Sequence, residues 1–236
     1  SPDLAVRHGS LSWATAKKNF IGAFNAARDN VANCMVWAKA GTYVNTGAIN
    51  MNGGTNDKIY GGFVGNEVPG ADAEAVIAAR EKSDIDGNGL IEPWEFTNPS
   101  ILVTNRNDKA IENLNSGTII DGFTMTHTAN VTNHGTLAQV DIRATGTVQN
   151  CIITGGTWTK TAQTANESNG IINVQGTLKN CLIENNTVFI TASGVGNYTT
   201  LGFISAQPDN SDVVIEGNIV RNNKYTLDQS DVTAAA

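Results

Sequence analysis

The chain has 236 residues and a mass of 24.9 kDa, enough for one sizeable core. Its net charge of -7, pI near 4.9 and scattered basic residues argue against a nucleic-acid partner, because nothing in it could neutralise a row of phosphates. Charged residues are 16% and aromatics 6%, with 24 Gly, a turn-rich β composition unlike that of helical bundles, and no apolar run approaches the ~20 residues of a membrane helix.

In chain order, the stretch SWATAKKNFIGAFNAARDN comes first, with Phe20, Ile21, Phe24 and Ala27 at helical spacing and Ser12 as N-cap candidate. This predicts a helix over 12–30 that covers an open end of the fold. No cationic-then-apolar leader precedes it, so the chain reads as soluble, and as mature or trimmed. CMVWAKAGTY, from Cys34 to Tyr43, reads as a strand, and INMNGGTNDKIYGGFVGNE, from Ile49 to Glu67, as the next turn of chain.

Residues 71–99 read as an insertion. ADAEAVIAAREKS, from Ala71 to Ser83, is rich in helix formers and predicts a helix. Asp84, Asp86, Asn88, Gly89, Ile91 and Glu95 then fill positions 1, 3, 5, 6, 8 and 12 of the EF-hand loop pattern. Alternate side-chain oxygens can converge on a hard cation, Gly89 supplies the sharp turn, Leu90 its carbonyl, Glu92 a contact through water, and Glu95 closes bidentately. Pro93 and Pro99 work against a following helix, so the reading is a lone structural Ca²⁺ site with one helix.

Four later segments resemble one another: GTIIDGFTMT from Gly117, GTVQNCIITGG from Gly146, GTLKNCLIENN from Gly176 and VIEGNIVRNN from Val214, the first three 29 and 30 residues apart. Each reads as an alternating strand, a polar or Gly corner and a second strand. One such rung cannot bury its apolar face, whereas stacking rungs at the ~4.8 Å strand spacing makes a continuous core, the logic of a parallel β-helix. An antiparallel sandwich would repeat hairpin signals roughly every 8 to 12 residues instead.

Alternation places Val148, Ile152, Leu178 and Leu182 inward and Gln149, Thr154, Lys179 and Glu184 outward. Asp121, Asn150, Asn180 and Gly217 form the corner column, where an amide can bond the next turn. Trp158, Val188 and Tyr225 share a repeat position that reads as core. Cys151 and Cys181 read as stacked buried thiols, since parallel neighbours point their Cβ atoms alongside each other. With Cys34 they are an odd set without metal spacing. The tail 230–236 carries no assigned role, and 1–229 reads as a single domain of six or seven coils.

SWATA…AFNAA, VWAKAGTY, KIYGGFVGNE and GTIIDGFTMT in succession resemble the secreted right-handed parallel β-helix repeat proteins of the pectate-lyase-like superfamily, particularly large Bacteroidetes surface proteins. The resemblance implies an all-β right-handed solenoid, export, an extracellular or cell-surface place, and a role without catalysis. Surface glycans or other surface proteins are the partners it implies, by adhesion, binding or scaffolding.

A rival function is a polysaccharide lyase or glycoside hydrolase, which needs clustered carboxylates with an Arg or Lys, or an Asp pair at glycosidase separation. The outward column Thr126, Thr154, Glu184 and Arg221 holds one acid and one base, which reads as a surface ion pair or a weak ligand contact. His127, His134, Asp141 and Arg143 lack an Asp pair, and the histidines read as solvated. Tyr198, in a longer loop, is the aromatic best suited to stack on a sugar. A third reading makes the chain a subunit of a larger surface assembly.

Overall fold

A computed structural model of the chain describes residues 4–7, 12–30, 33–45, 47–51, 56–68, 72–105, 109–115, 117–132, 140–142, 145–160, 168–169, 171–190, 200–201, 203–206 and 212–227. Nearly all of its strands are parallel and lie in stacked sheets. Sheet A takes, in spatial order, Met35–Lys39, Lys58–Phe63, Ile119–Asp121, Thr147–Gln149, Thr177–Lys179 and Val214–Glu216. Sheet B takes Gly41–Asn45, Ser100–Thr104, Phe123–His127, Ile152–Thr154, Leu182–Glu184 and Ile219–Arg221. Sheet C runs from Ile49–Asn50 to Ile204–Ala206, and sheet D from Asn130–Thr132 to Lys224–Leu227.

The chain thus visits A, then B, then C, with a strand of D between B and C from the third rung on, and returns to A one strand further along, in parallel register each time. Val148 pairs with Ile120 on one side and Leu178 on the other. Ile153 likewise lies between Met125 and Ile183. This arrangement fits a parallel β-helix, with six described passes through sheets A and B. One strand departs from it: Leu4–Arg7 pairs antiparallel with Met35–Lys39 and closes that edge of sheet A.

Stacking builds one apolar cluster that runs from Phe20 to Val188, with Val148, Ile153, Trp158, Leu178, Ile183 and Val188 all at 0% exposure. Each fully buried aliphatic side chain there contributes ~1.5–3 kcal/mol. Trp158 pairs with Val188 and Val188 with Tyr225, so that column is core as its sequence suggested. Cys151 and Cys181 are free, buried, and on neighbouring parallel rungs.

The inward positions of sheet B correct the alternation read from sequence. Ile153 and Ile183 point into the core, while Ile152 and Leu182 stand in the outer column; Ile152 is half-buried and Leu182 4% exposed. The cause is the corner. Asn150 and Asn180 adopt left-handed backbone at φ 53° and 52°, and one such residue resets the inside-outside phase between the two strands. Gly122, at φ 80°, is the equivalent in the preceding rung, so Gly122 and not Asp121 heads the corner column with Asn150, Asn180 and Gly217. Asp121 is the last residue of its strand and pairs with Gln149.

A second corner column, Gly155, Asn185 and Asn222, is also left-handed. Beside it stands an amide ladder that alternation could not locate. Asn186 Oδ1 accepts the Gly156 N–H, and its Nδ2 donates to the Ile153 carbonyl. Asn223 repeats this on Asn186 N–H and Ile183 O, and Asn218 on Cys181 N–H and Leu178 O. Each amide clamps the turn of the rung below it.

At the N-terminal end, Ser12 caps a short 3-10 turn, Trp13–Thr15, and helix α1 spans Phe20–Asn30 rather than the whole of 12–30. Asn19 is its effective N-cap: its Oδ1 accepts the Gly22 N–H and its carbonyl the Ala23 N–H. Phe20, Ala23, Phe24 and Ala27 face the core, and the Phe20 ring meets Tyr43 and Phe123 at 5.8 and 5.7 Å. Arg28 Nη1 donates to Asn50 O, which ties α1 to the first strand of sheet C.

Candidate metal centre

The insertion leaves the second rung after Phe63. Helix α2, Ala73–Ala78, is capped by Asp72, whose Oδ1 accepts the Glu74 and Ala75 N–H groups. It lies over the outer face of sheet A, where Trp37, Tyr60, Phe63 and Ala73 form a second apolar cluster with Val76 and Ile77. The helix stops well before Ser83, correcting the longer span expected from helix propensity. Past the helix the chain turns toward the sheet, and the Arg80 guanidinium points inward.

Arg80 Nη2 bonds Asp121 Oδ1 at 2.9 Å, Nη1 donates to Gly61 O and Nε to Ile77 O. Both side chains are almost wholly buried, at 6% and 4% exposure. Rings of Phe96, Tyr60 and Phe63 lie 4.6, 5.6 and 5.6 Å from the cation. Gln149 and Asn150 donate to the other Asp121 oxygen, so every charge in this buried pair is partnered. A Cβ at Gly122 would lie 2.6 Å from Arg80 Nη1, so the close approach requires glycine as much as its φ does.

Beyond Arg80 the chain is extended. Lys82 and Phe96 form an antiparallel bridge, with Ser83 N–H on Glu95 O and Thr97 N–H on Glu81 O. The loop is therefore pinned at its two ends by a bridge, where an EF-hand would have helices.

Within it Asp84, Asp86 and Glu95 converge, with one ligand oxygen from each lying within 4.8 Å of the others. Asp84 accepts the N–H groups of Gly87, Asn88 and Gly89. Gly87 and Gly89, at φ 74° and 87°, supply the tight turn. Asn88 and Glu92 sit beside the cluster bonded to each other, Nδ2 to Oε1 at 2.8 Å, and Asn88 Oδ1 accepts the Leu90 N–H. Leu90 itself points its side chain to solvent.

Glu95 is 3% exposed and accepts from Ile85, Asp86 and Glu92. Burial works against its charge, but these backbone donors outweigh it and hold its pKa below the ordinary carboxylate value. At Glu92 the Asn88 amide favours the charged form. The Glu95 carboxyl, burial and Asp86 together outweigh that amide and raise its pKa. Among the described residues Glu92 Oε2 is enclosed without a hydrogen-bond partner. Carboxylate oxygens crowded together with one orphan acceptor fit a hard divalent cation, and the donor set holds no Cys or His to favour a softer one.

The loop also reaches the far end of the sheets. Arg221, in the sixth rung, bonds Glu184 at 2.8 Å and Asp86 at 3.4 Å. The Glu184–Arg221 pairing expected from the outward column is thus present, and it extends to the acidic cluster. Neither the Arg80–Asp121 nor the Arg221–Asp86 contact has a signal in the sequence. His127 is 4% exposed with its ring 5.7 Å from Trp158, which corrects the solvated reading. Tyr198, His134 and Arg143 lie outside the described residues, as does the Asp141 side chain.

Comparison with protein families, curated sequences and solved structures finds no significant match to this chain. Among the described residues no helix is long and apolar enough to cross a membrane.

Proposed function

We propose that the chain is a right-handed parallel β-helix of the pectate-lyase-like type, exported to the cell surface, that works without catalysis as a rigid rod stabilised by Ca²⁺. Its outer faces present binding or adhesion surfaces to glycans or other surface proteins. The handedness is what crossover connections between parallel strands adopt in ~98% of cases. The export and surface role rest on the sequence resemblance.

One observation carries the metal part of this reading: the Asp84, Asp86 and Glu95 carboxylates converge in a loop tied to the sheets at Asp121 and at Arg221. An ion there closes a strap over the rungs. Extracellular calcium, at the ~10⁻³ M level, fills even weak loops of this kind. Glu184 and Arg221 are spent on each other and on Asp86, which suits a structural role better than acid-base work.

Calorimetric titration of the chelator-stripped protein should show one calcium equivalent taken up. No uptake at millimolar calcium removes the ion from the proposal. A glycan array and a polysaccharide-cleavage screen, each with and without calcium, test the rest. Binding without cleavage is expected, and unsaturated sugar products would overturn the non-catalytic role.

A further inference from the structure

Between helix α2 and the outer face of sheet A lies a cleft of about 360 Å³ that the metal site does not use. Ile77 and Ala78 line it from the helix, Lys82 and Phe96 from the bridge that follows, and Tyr60 and Gln149 from the rungs. The buried Arg80–Asp121 pair lines it as well. Its size is at the small end of the ~300–1,000 Å³ range of ligand sites, enough for a sugar unit.

Hydrogen-bonding groups in this cleft are left unspent. Tyr60 is 7% exposed, and among the described residues its hydroxyl meets no hydrogen-bond partner. Burial, reinforced by the Asp121 and Glu74 charges, raises its pKa, so the phenol stays protonated and can donate. Asp121, a carboxylate that only accepts, takes the amide nitrogens of Gln149 and Asn150 at 2.6 and 3.2 Å. That fixes both amides and leaves their carbonyl oxygens unspent beside the cleft. The Lys82 ammonium lies 4.9 Å from the Phe96 ring, and no carboxylate pairs with it among the described residues.

We propose that this cleft binds a neutral sugar unit of a glycan. Two cations, Arg80 and Lys82, and two carboxylates, Glu74 and Asp121, line it, so its charges balance and favour neither an anionic nor a cationic ligand. Donors on Tyr60 and Lys82 stand together with acceptors on Gln149 and Asn150, and a hydroxyl, which gives and takes a hydrogen bond at once, is the group that meets both. Ile77 and Ala78 offer a small apolar surface that suits the C–H face of a sugar ring and is too short for an acyl chain. The inference rests on the glycan-binding reading above, to which it gives a place and a ligand class.

The methyl glycosides of glucose, galactose and mannose, with galacturonate as acidic control, can be titrated at millimolar concentration into the isotope-labelled full chain in calcium and followed by nuclear magnetic resonance. At least one neutral glycoside should shift the side-chain amide resonances of Gln149 and Asn150. Tyr60→Phe, which keeps the ring and its packing, should weaken that binding ~3–10-fold, the loss of about one hydrogen bond. Lys82→Ala, at an exposed position, should give a comparable loss even if Tyr60→Phe misfolds. Amide resonances that move with no neutral glycoside, or that move more with galacturonate than with any of them, overturn the proposal. A glycan-array hit that survives both substitutions overturns this cleft and leaves the glycan-binding reading intact, whereas an array without hits, together with still resonances, removes both.

Discussion

Asn186 shows how much of the fold rests on single side chains: it is 1% exposed, and its amide clamps the turn of the rung below while also donating to the Asn223 side chain of the rung above. Asn186→Ala leaves a buried N–H and a buried carbonyl without partners and should lower stability by ~1–3 kcal/mol in denaturant unfolding. An unchanged midpoint would show the ladder to be idle. Asn at a corner was legible from its tolerance of left-handed backbone. The pairs Asn185-Asn186 and Asn222-Asn223, however, do not tell which member turns the chain and which points inward. The structure gives the first member the turn and the second the ladder. Cys34 is a second single-residue case. Burial, reinforced by Asp57, pushes its thiol up to about 12, so it stays protonated and poorly nucleophilic at neutral pH. Ellman's reagent should therefore find no rapidly reacting thiol at Cys34 until the protein is unfolded, and prompt native labelling there would contradict its placement.

At the scale of the element, the insertion is held by contacts that reach well outside it. Arg80→Ala strands Asp121 in a buried site, and breaking such a pair costs ~3–5 kcal/mol where no water enters. Hydrogen exchange of Ala73–Ala78 and of the 81–97 bridge should accelerate in this variant while sheet C keeps its protection. Equal acceleration everywhere would mean that Arg80 supports the whole fold and not the strap. Glu95 gives a pH expectation. Its folded pKa lies below the unfolded value, so its contribution is present above the ordinary carboxylate range and is lost as pH falls through the lower folded value. In the calcium-free protein, Glu95→Gln should therefore flatten the acid limb of thermal stability, and an identical limb would remove Glu95 as its source. The ligand positions of this element were legible because the EF-hand spacing is local. The helix end was not, because Ala71 to Ser83 is uniformly helix-forming, whereas Lys82 is extended in a bridge to Phe96 that no local propensity encodes.

For the whole molecule, a cation that binds only the folded loop must raise the unfolding temperature. At 100 times its dissociation constant it adds ~2.7 kcal/mol. Calcium should raise the midpoint of the natural sequence and leave that of Glu95→Gln unchanged; equal rises in both would place any bound calcium elsewhere. Because Asp86 meets Arg221 in the sixth rung, the strap spans most of the described length of the stacked sheets.

The sequence by itself determined the period of about 30 residues, the parallel stacking, the aromatic and thiol core columns, and a loop with oxygens at metal-ligand spacing, all features written within one repeat or one loop. Tertiary structure alone decided the phase of sheet B, since one left-handed residue inverts an alternation that a linear pattern carries straight through. It also decided which distant groups meet: Asp121 lies 41 residues from Arg80, and Arg221 lies 135 from Asp86. Such pairings depend on where an excursion lies across rungs already stacked, and no local pattern of residues encodes that.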